Sequence, residues 1–315
     1  MGRKSFAKLH RFLILFALSA SLLCYCIKTP AQEIESDLSN QSERQTSEIP
    51  FTFPSRSAPR IVVYLHINSS RRMPFLLDTG YSGSMLFFKW SASALHLNPN
   101  ARQSQFKPSS DAQIALLKSV EFPSLKHSSR LTIQNLPVEI KNLNPTNSHK
   151  PLIAGLLGCS LFSSGVLSVD FDRKTLTFGS TYKHARSHQQ EVIVNLREKS
   201  SGRVYANITL GDEDILGLVD TGSEISTLPD KVLSEKGEEK STGVKLEGID
   251  GFQRSTLFRV SGIALGGETI PSINIASAGT EQATIGLDIL SKFNFHLDFK
   301  KRLLHLIPRN KRQLK

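Results

Sequence analysis

Cysteine, methionine and tryptophan are scarce, with three, three and one in 315 residues. Cys24 and Cys26 fall inside an N-terminal apolar run, which leaves Cys159 alone in the rest of the chain. Once that leader is removed, no internal disulfide can form, so stability has to come from packing even in an oxidising compartment. Cys159 has no His close by in sequence, and it reads as a small buried apolar residue rather than a nucleophile. Long helical periodicities are also few. Gly and Pro punctuate the chain at short intervals instead, which points to an all-β architecture. Metal-ligand spacing is confined to His184 and His188, four residues apart in a polar connector, where a solvated face is the plainer reading. Neither a metal nor any other cofactor is expected.

Acids are outnumbered, 28 Asp and Glu against 39 Lys and Arg, for a formal net charge of +11. Much of that excess sits in residues 1–32, which carry Arg3, Lys4, Lys8, Arg11 and Lys28 and no acid. The remaining basic bias is mild and does not argue for nucleic acid as a partner. The basic residues precede an apolar run over 12–27, and Thr29, Pro30 and Ala31 offer small residues for cleavage before Gln32. The run is short against the roughly 20 residues of a membrane span. Residues 1–32 therefore read as an export signal or, if uncleaved, as a membrane anchor, and the protein is expected to be periplasmic, secreted or held at a membrane by its N-terminus. Residues 33–57 are polar, rich in Ser, Glu and Gln, and read as a flexible spacer. The basic tail 309–315 reads as solvated. Asn68 and Asn207 stand in glycosylation-type sequons.

What is present is a repeat. Phe75, Leu76 and Leu77 run into Asp78-Thr79-Gly80, and Leu218 and Val219 run into Asp220-Thr221-Gly222. One such triplet suits an ordinary exposed turn. Two, each after apolar residues, suggest a duplicated unit that brings two carboxylates together. The flanks agree. Val63, Leu65 and Ile67 alternate ahead of a turn at residues 68–71, as Val204, Ala206, Ile208 and Leu210 alternate ahead of a turn at 211–214. Leu156-Leu157-Gly158 matches Thr284-Ile285-Gly286, and Asp170 follows its glycine at the same interval as Asp298 follows Gly286. A short helix is expected to open at each of these glycines. Residues 130–140 read as a hairpin around Asn135, and 260–267 with 270–275 as another. The first copy is longer between its Asp and its glycine, with the extra residues expected within 88–130. The lobes are set at 58–180 and 191–308, joined by a connector at 181–190.

These residues resemble the aspartic peptidases of the retropepsin and pepsin type. The resemblance rests on both Asp-Thr-Gly triplets and both apolar-apolar-glycine elements, and it spans roughly residues 58–310. It implies two retropepsin-like β-barrel lobes in one chain, a monomer whose lobes pair intramolecularly, with the active site at their junction. Asp78 and Asp220 would be the catalytic dyad of an exported endopeptidase acting on peptides or proteins. Thr79 and Thr221 would hydrogen-bond across the junction. Gly80 and Gly222 would let the backbones approach closely. Gly248, Ile249, Asp250 and Gly251 would form the tip of a flap over an extended substrate. The first copy departs from the family pattern at Tyr81, where Ala or Ser is usual, and at Cys159-Ser160, where the second copy has Leu287-Asp288. Ser223 is expected to hydrogen-bond Asp220, a support that Tyr81 lacks the means to give Asp78.

The chemistry explains why two acids are needed. Carboxylates about 3 Å apart repel by roughly 5 kcal/mol at an effective dielectric of 20. One therefore keeps a proton over a wide pH range. The ionised member can take a proton from water while the protonated one donates to a peptide carbonyl. The rival expectation is a non-catalytic secreted or envelope-associated protein that binds peptides on the same scaffold.

Overall fold

The computed structural model describes residues 47–53, 59–99, 111–125, 131–143, 152–182, 191–199, 201–248, 251–279 and 281–309. The fold is all-β, with two lobes joined by a shared sheet.

Strand β1 (Ser47–Pro50) opens the described chain. The first lobe follows as β2 (Val62–Ile67), β3 (Arg72–Asp78), β4 (Met85–Phe88), helix α1 (Lys89–Ala94), β5 (Gln113–Glu121), β6 (Thr132–Lys141) and β7 (Gly155–Gly158). Its strands close into a barrel in the order β2-β3-β7-β4-β6-β5. The turn between β2 and β3 lies where expected, and Asn68 and Ser69 take positive φ of 50° and 58° there. The Asn68 side chain also accepts from the backbone of Lys118 and Ser119, which ties this turn to β5. A 3-10 turn (Cys159–Phe162) leaves β7, and β8 (Val166–Asp170) and β9 (Thr175–Gly179) end the lobe.

The second lobe repeats this order. After β10 (Val192–Asn195) and β11 (Arg197–Glu198) come β12 (Val204–Leu210), β13 (Glu213–Val219), β14 (Thr227–Leu228), α2 (Asp230–Lys236), β15 (Glu238–Gly248), β16 (Gly251–Leu265), β17 (Glu268–Ser277) and β18 (Ala283–Ile285). Strand β12 pairs with both β13 and β16, so this sheet also curls on itself. Helix α3 (Leu287–Leu290), β19 (Phe293–Asp298) and β20 (Leu303–Pro308) complete the chain. The turn between β16 and β17 is Gly266-Gly267, with φ of 62° and 87°, which glycine adopts without a steric penalty.

A six-stranded sheet, β1-β9-β8-β19-β20-β10, draws three strands from each half of the described chain. Its central pairing, β8 with β19, crosses between the lobes, with Leu167 opposite Leu297 and Val169 opposite Phe295. All four of these residues are buried, so the lobes share one apolar core here. Burial of these side chains stabilises by about 2 kcal/mol each.

Three expectations need correction or restriction. The spacer set at 33–57 does not run through 47–53. There, Ile49 and Phe51 are 2% and 3% exposed, and β1 pairs with β9 along four residues, because alternating apolar side chains outweigh a polar average. The hairpin around Asn135 does not form. Asn135 takes a φ of 53°, yet β6 continues through it in unbroken register with β5. Finally, Ile249, Asp250, His184 and His188 lie outside the described residues. Among the described residues no helix is long and apolar enough to cross a membrane.

Candidate active site

Each Asp-Thr-Gly triplet sits where a barrel strand ends beside the apolar-apolar-glycine strand. Strand β3 runs parallel to β7 with Asp78 opposite Gly158, and β13 runs parallel to β18 with Val219 opposite Ile285. The loop after each Asp is then pinned twice in the same way. The Tyr81 amide donates to the Asp78 carbonyl at 3.2 Å and the Ser223 amide to the Asp220 carbonyl at 3.4 Å. The Cys159 amide donates to the Tyr81 carbonyl at 2.9 Å and the Leu287 amide to the Ser223 carbonyl at 2.8 Å.

The two loops meet through the threonines. The Thr79 amide donates to Thr221 Oγ1 at 3.1 Å, and the Thr221 amide donates to Thr79 Oγ1 at 3.0 Å. Each hydroxyl then donates onward into the opposite lobe, Thr79 to the Val219 carbonyl at 2.7 Å and Thr221 to the Leu77 carbonyl at 3.0 Å. Neither threonine has any exposed surface. The glycines explain how the acids come so close. A Cβ on Gly80 would stand 2.6 Å from Asp220 Cγ, and one on Gly222 would stand 2.5 Å from Asp78 Cγ. No side chain fits there, so the glycines are required by proximity rather than by backbone angle.

The Asp78 and Asp220 carboxyls meet side chain to side chain in a hydrogen bond. Asp78 also accepts from the Tyr81 amide at 2.9 Å, and Asp220 from the Gly222 amide at 2.8 Å. Burial is the largest influence on both. It holds the Asp78 carboxyl well above the usual carboxylate range, with the Asp220 charge adding to the effect. Asp220 is also raised by burial, since protein atoms crowd its carboxyl although the residue keeps some surface. Amides of Gly222, Gly80 and Ser223 and the contact with the Asp78 carboxyl oppose that rise. Two buried carboxyls in contact favour holding one proton between them.

A lupine seed protein, conglutin gamma, a basic 7S globulin, superposes with a TM-score of 0.50 at 11% identity, over 86% of this chain and 96% of that one. An aspartic proteinase from Irpex lacteus gives 0.45 at 14% identity, over 84% and 98%, and a soybean basic 7S globulin gives 0.49 at 9%, over 85% and 98%. No family model and no curated protein matches the chain. The fold is pepsin-like. At these identities the likeness extends to the fold and no further.

The sequence-derived site residues fall in three groups. Asp78, Thr79, Gly80, Asp220, Thr221 and Gly222 come together at the lobe junction. Ser223 lies in the same loop, but its hydroxyl donates to the Ile225 carbonyl at 2.9 Å, and only its amide supports Asp220, so the expected hydroxyl bond is not made. Gly248 and Gly251 face each other at the end of β15 and β16. That end projects past the barrel, because β16 pairs with β17 only from Leu257 onward.

Other supports had no local signature. Asp288 accepts from the Ser226 amide at 2.9 Å and the Ser226 hydroxyl at 2.5 Å, and Ser226 Oγ in turn accepts from the Gly286 amide at 2.9 Å. The clue available in sequence was a serine six residues after each Asp, Ser84 and Ser226. Arg60 at the entry to the first barrel pairs with Glu224 of the second loop. Cys159 Sγ lies 3.6 Å from the Gly202 carbonyl of the second lobe, and burial pushes its thiol up to about 12, which suits a packed side chain rather than a nucleophile. Among the described residues no group of His, Cys, Asp and Glu could hold a metal ion.

Proposed function

We propose that the protein is an aspartic endopeptidase. The observation that carries this reading is the hydrogen-bonded Asp78–Asp220 pair, held by reciprocal threonine contacts from two lobes. A peptide carbonyl and a water between the carboxyls would meet one base and one acid. Ionised Asp220 takes a proton from the water as its oxygen attacks the carbonyl carbon, and Asp78 gives its proton to the carbonyl oxygen. The resulting diol collapses with the amine leaving, protonated by Asp220, and the pair returns to sharing one proton. The projecting β15–β16 arm is the cover for an extended peptide, which would add backbone hydrogen bonds in the manner of a strand.

The chain acts as a monomer after export, or from an N-terminal anchor, with peptides or proteins as substrates. The basic residues ahead of the apolar run at 12–27 support that location. Fractionation of cells expressing the full chain tests it, and a cytoplasmic product counts against it.

A peptide-library digest at acidic and neutral pH, with and without pepstatin, tests the activity. Cleavage by the wild type that Asp220→Asn and pepstatin both abolish is the expected result. Peptide binding without cleavage by the wild type would favour the rival reading, a peptide-binding protein on this scaffold. That reading draws on the fold-level likeness to a protein described as a seed globulin.

A further inference from the structure

Beside the Asp78 loop, the first lobe holds two polar side chains, Tyr81 and Glu139, that take no part in the proposed hydrolysis. Tyr81 is fixed to the Asp78 loop at both ends of its backbone, its amide on Asp78 Oδ1 at 2.9 Å and its carbonyl on the Cys159 amide at 2.9 Å. Its ring packs with Leu76, Leu86 and Leu156 in a small apolar cluster separate from the main core. The chain makes room for this ring at two points. A Cβ on Gly83 would lie 2.3 Å from the Tyr81 hydroxyl oxygen, and one on Gly158 would lie 2.5 Å from a ring carbon.

A phenylalanine would fill that space as well. The hydroxyl is buried without a well-formed hydrogen bond and lies beside the Glu139 side chain. Glu139 belongs to β6, sits opposite Leu86, and is itself 5% exposed. A phenol and an acid placed in an apolar pocket are costly to bury for packing alone. The second lobe has no such pair. Counting from each Asp, Ser223 stands in the place of Tyr81. Leu228 matches Leu86, and its β17 partner Ser277, the counterpart of Glu139, donates to Asp230 instead.

We infer that Tyr81 and Glu139 act as a positioning pair for Asp78, a buried strut from β6 to the loop after Asp78 that the other lobe does without. The inference rests on the peptidase reading for its consequence but not for its geometry. The strut braces the loop that carries the Asp78 carboxyl. Asp78 and Cys159 of the 3-10 turn face the Tyr81 phenol, and Arg203 and Glu198 of the second lobe act on Cys159 in turn. Burial, then Glu139, then Asp78 all push the Tyr81 phenol upward, so it stays protonated.

The test uses Tyr81→Phe, Glu139→Gln and the double variant in the whole chain. Titration of the Asp78 and Asp220 carboxyl carbons by NMR needs no substrate. In Glu139→Gln and in Tyr81→Phe the upper midpoint of the pair should shift, because the loop that places Asp78 against Asp220 has lost its brace. On peptide substrate, each single variant should lower kcat about tenfold with KM within about twofold, and the double variant should lose no more than the worse single. The basic limb of the pH–rate profile should move with the NMR midpoint. An unmoved midpoint in folded Glu139→Gln overturns the inference, as do independent losses that multiply in the double variant. Should Glu139→Gln not fold, Tyr81→Phe decides by the kcat-against-KM split, since it removes one oxygen and leaves the ring. Absence of cleavage by the wild type would instead overturn the peptidase reading, and the NMR midpoint would still judge the strut.

Discussion

Thr79 and Thr221, one from each lobe, exchange amide-to-hydroxyl hydrogen bonds at 3.1 and 3.0 Å with no solvent between them. This contact makes the lobe junction a single rigid part. Replacing Thr221 with Val keeps the shape but strands the Thr79 amide and the Leu77 carbonyl in a dry site. Unsatisfied buried groups of this kind cost about 1–3 kcal/mol each. Urea denaturation of Thr221→Val should show a loss of about 2–4 kcal/mol, and Thr221→Ser should recover most of it. Equal stability of Val and wild type would mean that the crossed bonds contribute nothing.

The glycines give a sharper expectation. A methyl on Gly222 would overlap the Asp78 carboxyl at 2.5 Å, and one on Gly80 would overlap Asp220 at 2.6 Å. Either Gly→Ala change must push the acids apart. Misplacement by about 1 Å costs on the order of 100-fold in rate. Gly222→Ala should therefore lose at least that much of kcat/KM while keeping its circular-dichroism spectrum. Near-normal cleavage by Gly222→Ala would show that the acids need not touch.

The repeated triplets made this part of the site legible. Asp, Thr and Gly each have a local reason to stand in sequence at a strand end, and their duplication predicts the junction. The turns at Asn68-Ser69 and Gly266-Gly267 were legible for the same reason, since positive φ selects those residues. Helices α1 and α2 gave no signal, as each is short and starts without a side-chain cap. Strand β1 was hidden because Ile49, Phe51 and Phe53 alternate at the end of a polar stretch, and the burial of Ile49 and Phe51 depends on distant segments of the chain. Arg60–Glu224 and Tyr81–Glu139 were hidden for a related reason, because pairings between distant segments leave no local pattern.

The shared proton links the site to stability. Burial raises the Asp78 carboxyl in the folded state above its unfolded value of about 3.9. An acid with a raised folded value favours the fold below its unfolded pKa, and that contribution is lost as pH rises through the folded value. Asp220→Asn removes the charge next to Asp78. Its melting temperature should exceed that of the wild type near neutral pH, and the gap should close toward pH 4. Scanning calorimetry across that range checks the trend. A variant that is less stable at neutral pH, or a gap that widens in acid, would contradict the shared-proton picture.

Asp288 holds the second loop in a way that can be measured separately. Its carboxylate accepts from the Ser226 amide, the Ser226 hydroxyl and the Ile289 amide, at 2.9, 2.5 and 2.9 Å. The Ser226 hydroxyl oxygen meanwhile accepts from the Gly286 amide. Asp288→Ala leaves three donors unpaired beneath β14 and should cost about 3 kcal/mol or more in urea denaturation. Ser226→Ala removes one donor and the acceptor for the Gly286 amide, and should cost about half as much. Because both changes break the same network, their effects should not add. The double variant should be only slightly less stable than Asp288→Ala, with a coupling energy of about 1 kcal/mol. Cleavage should fall in step, since this loop leads back to Asp220 through Gly222. Strict additivity would mean that Ser226 and Asp288 act on the fold independently, and that the loop after Asp220 is held by its backbone bonds to Ser223 and Leu287 instead.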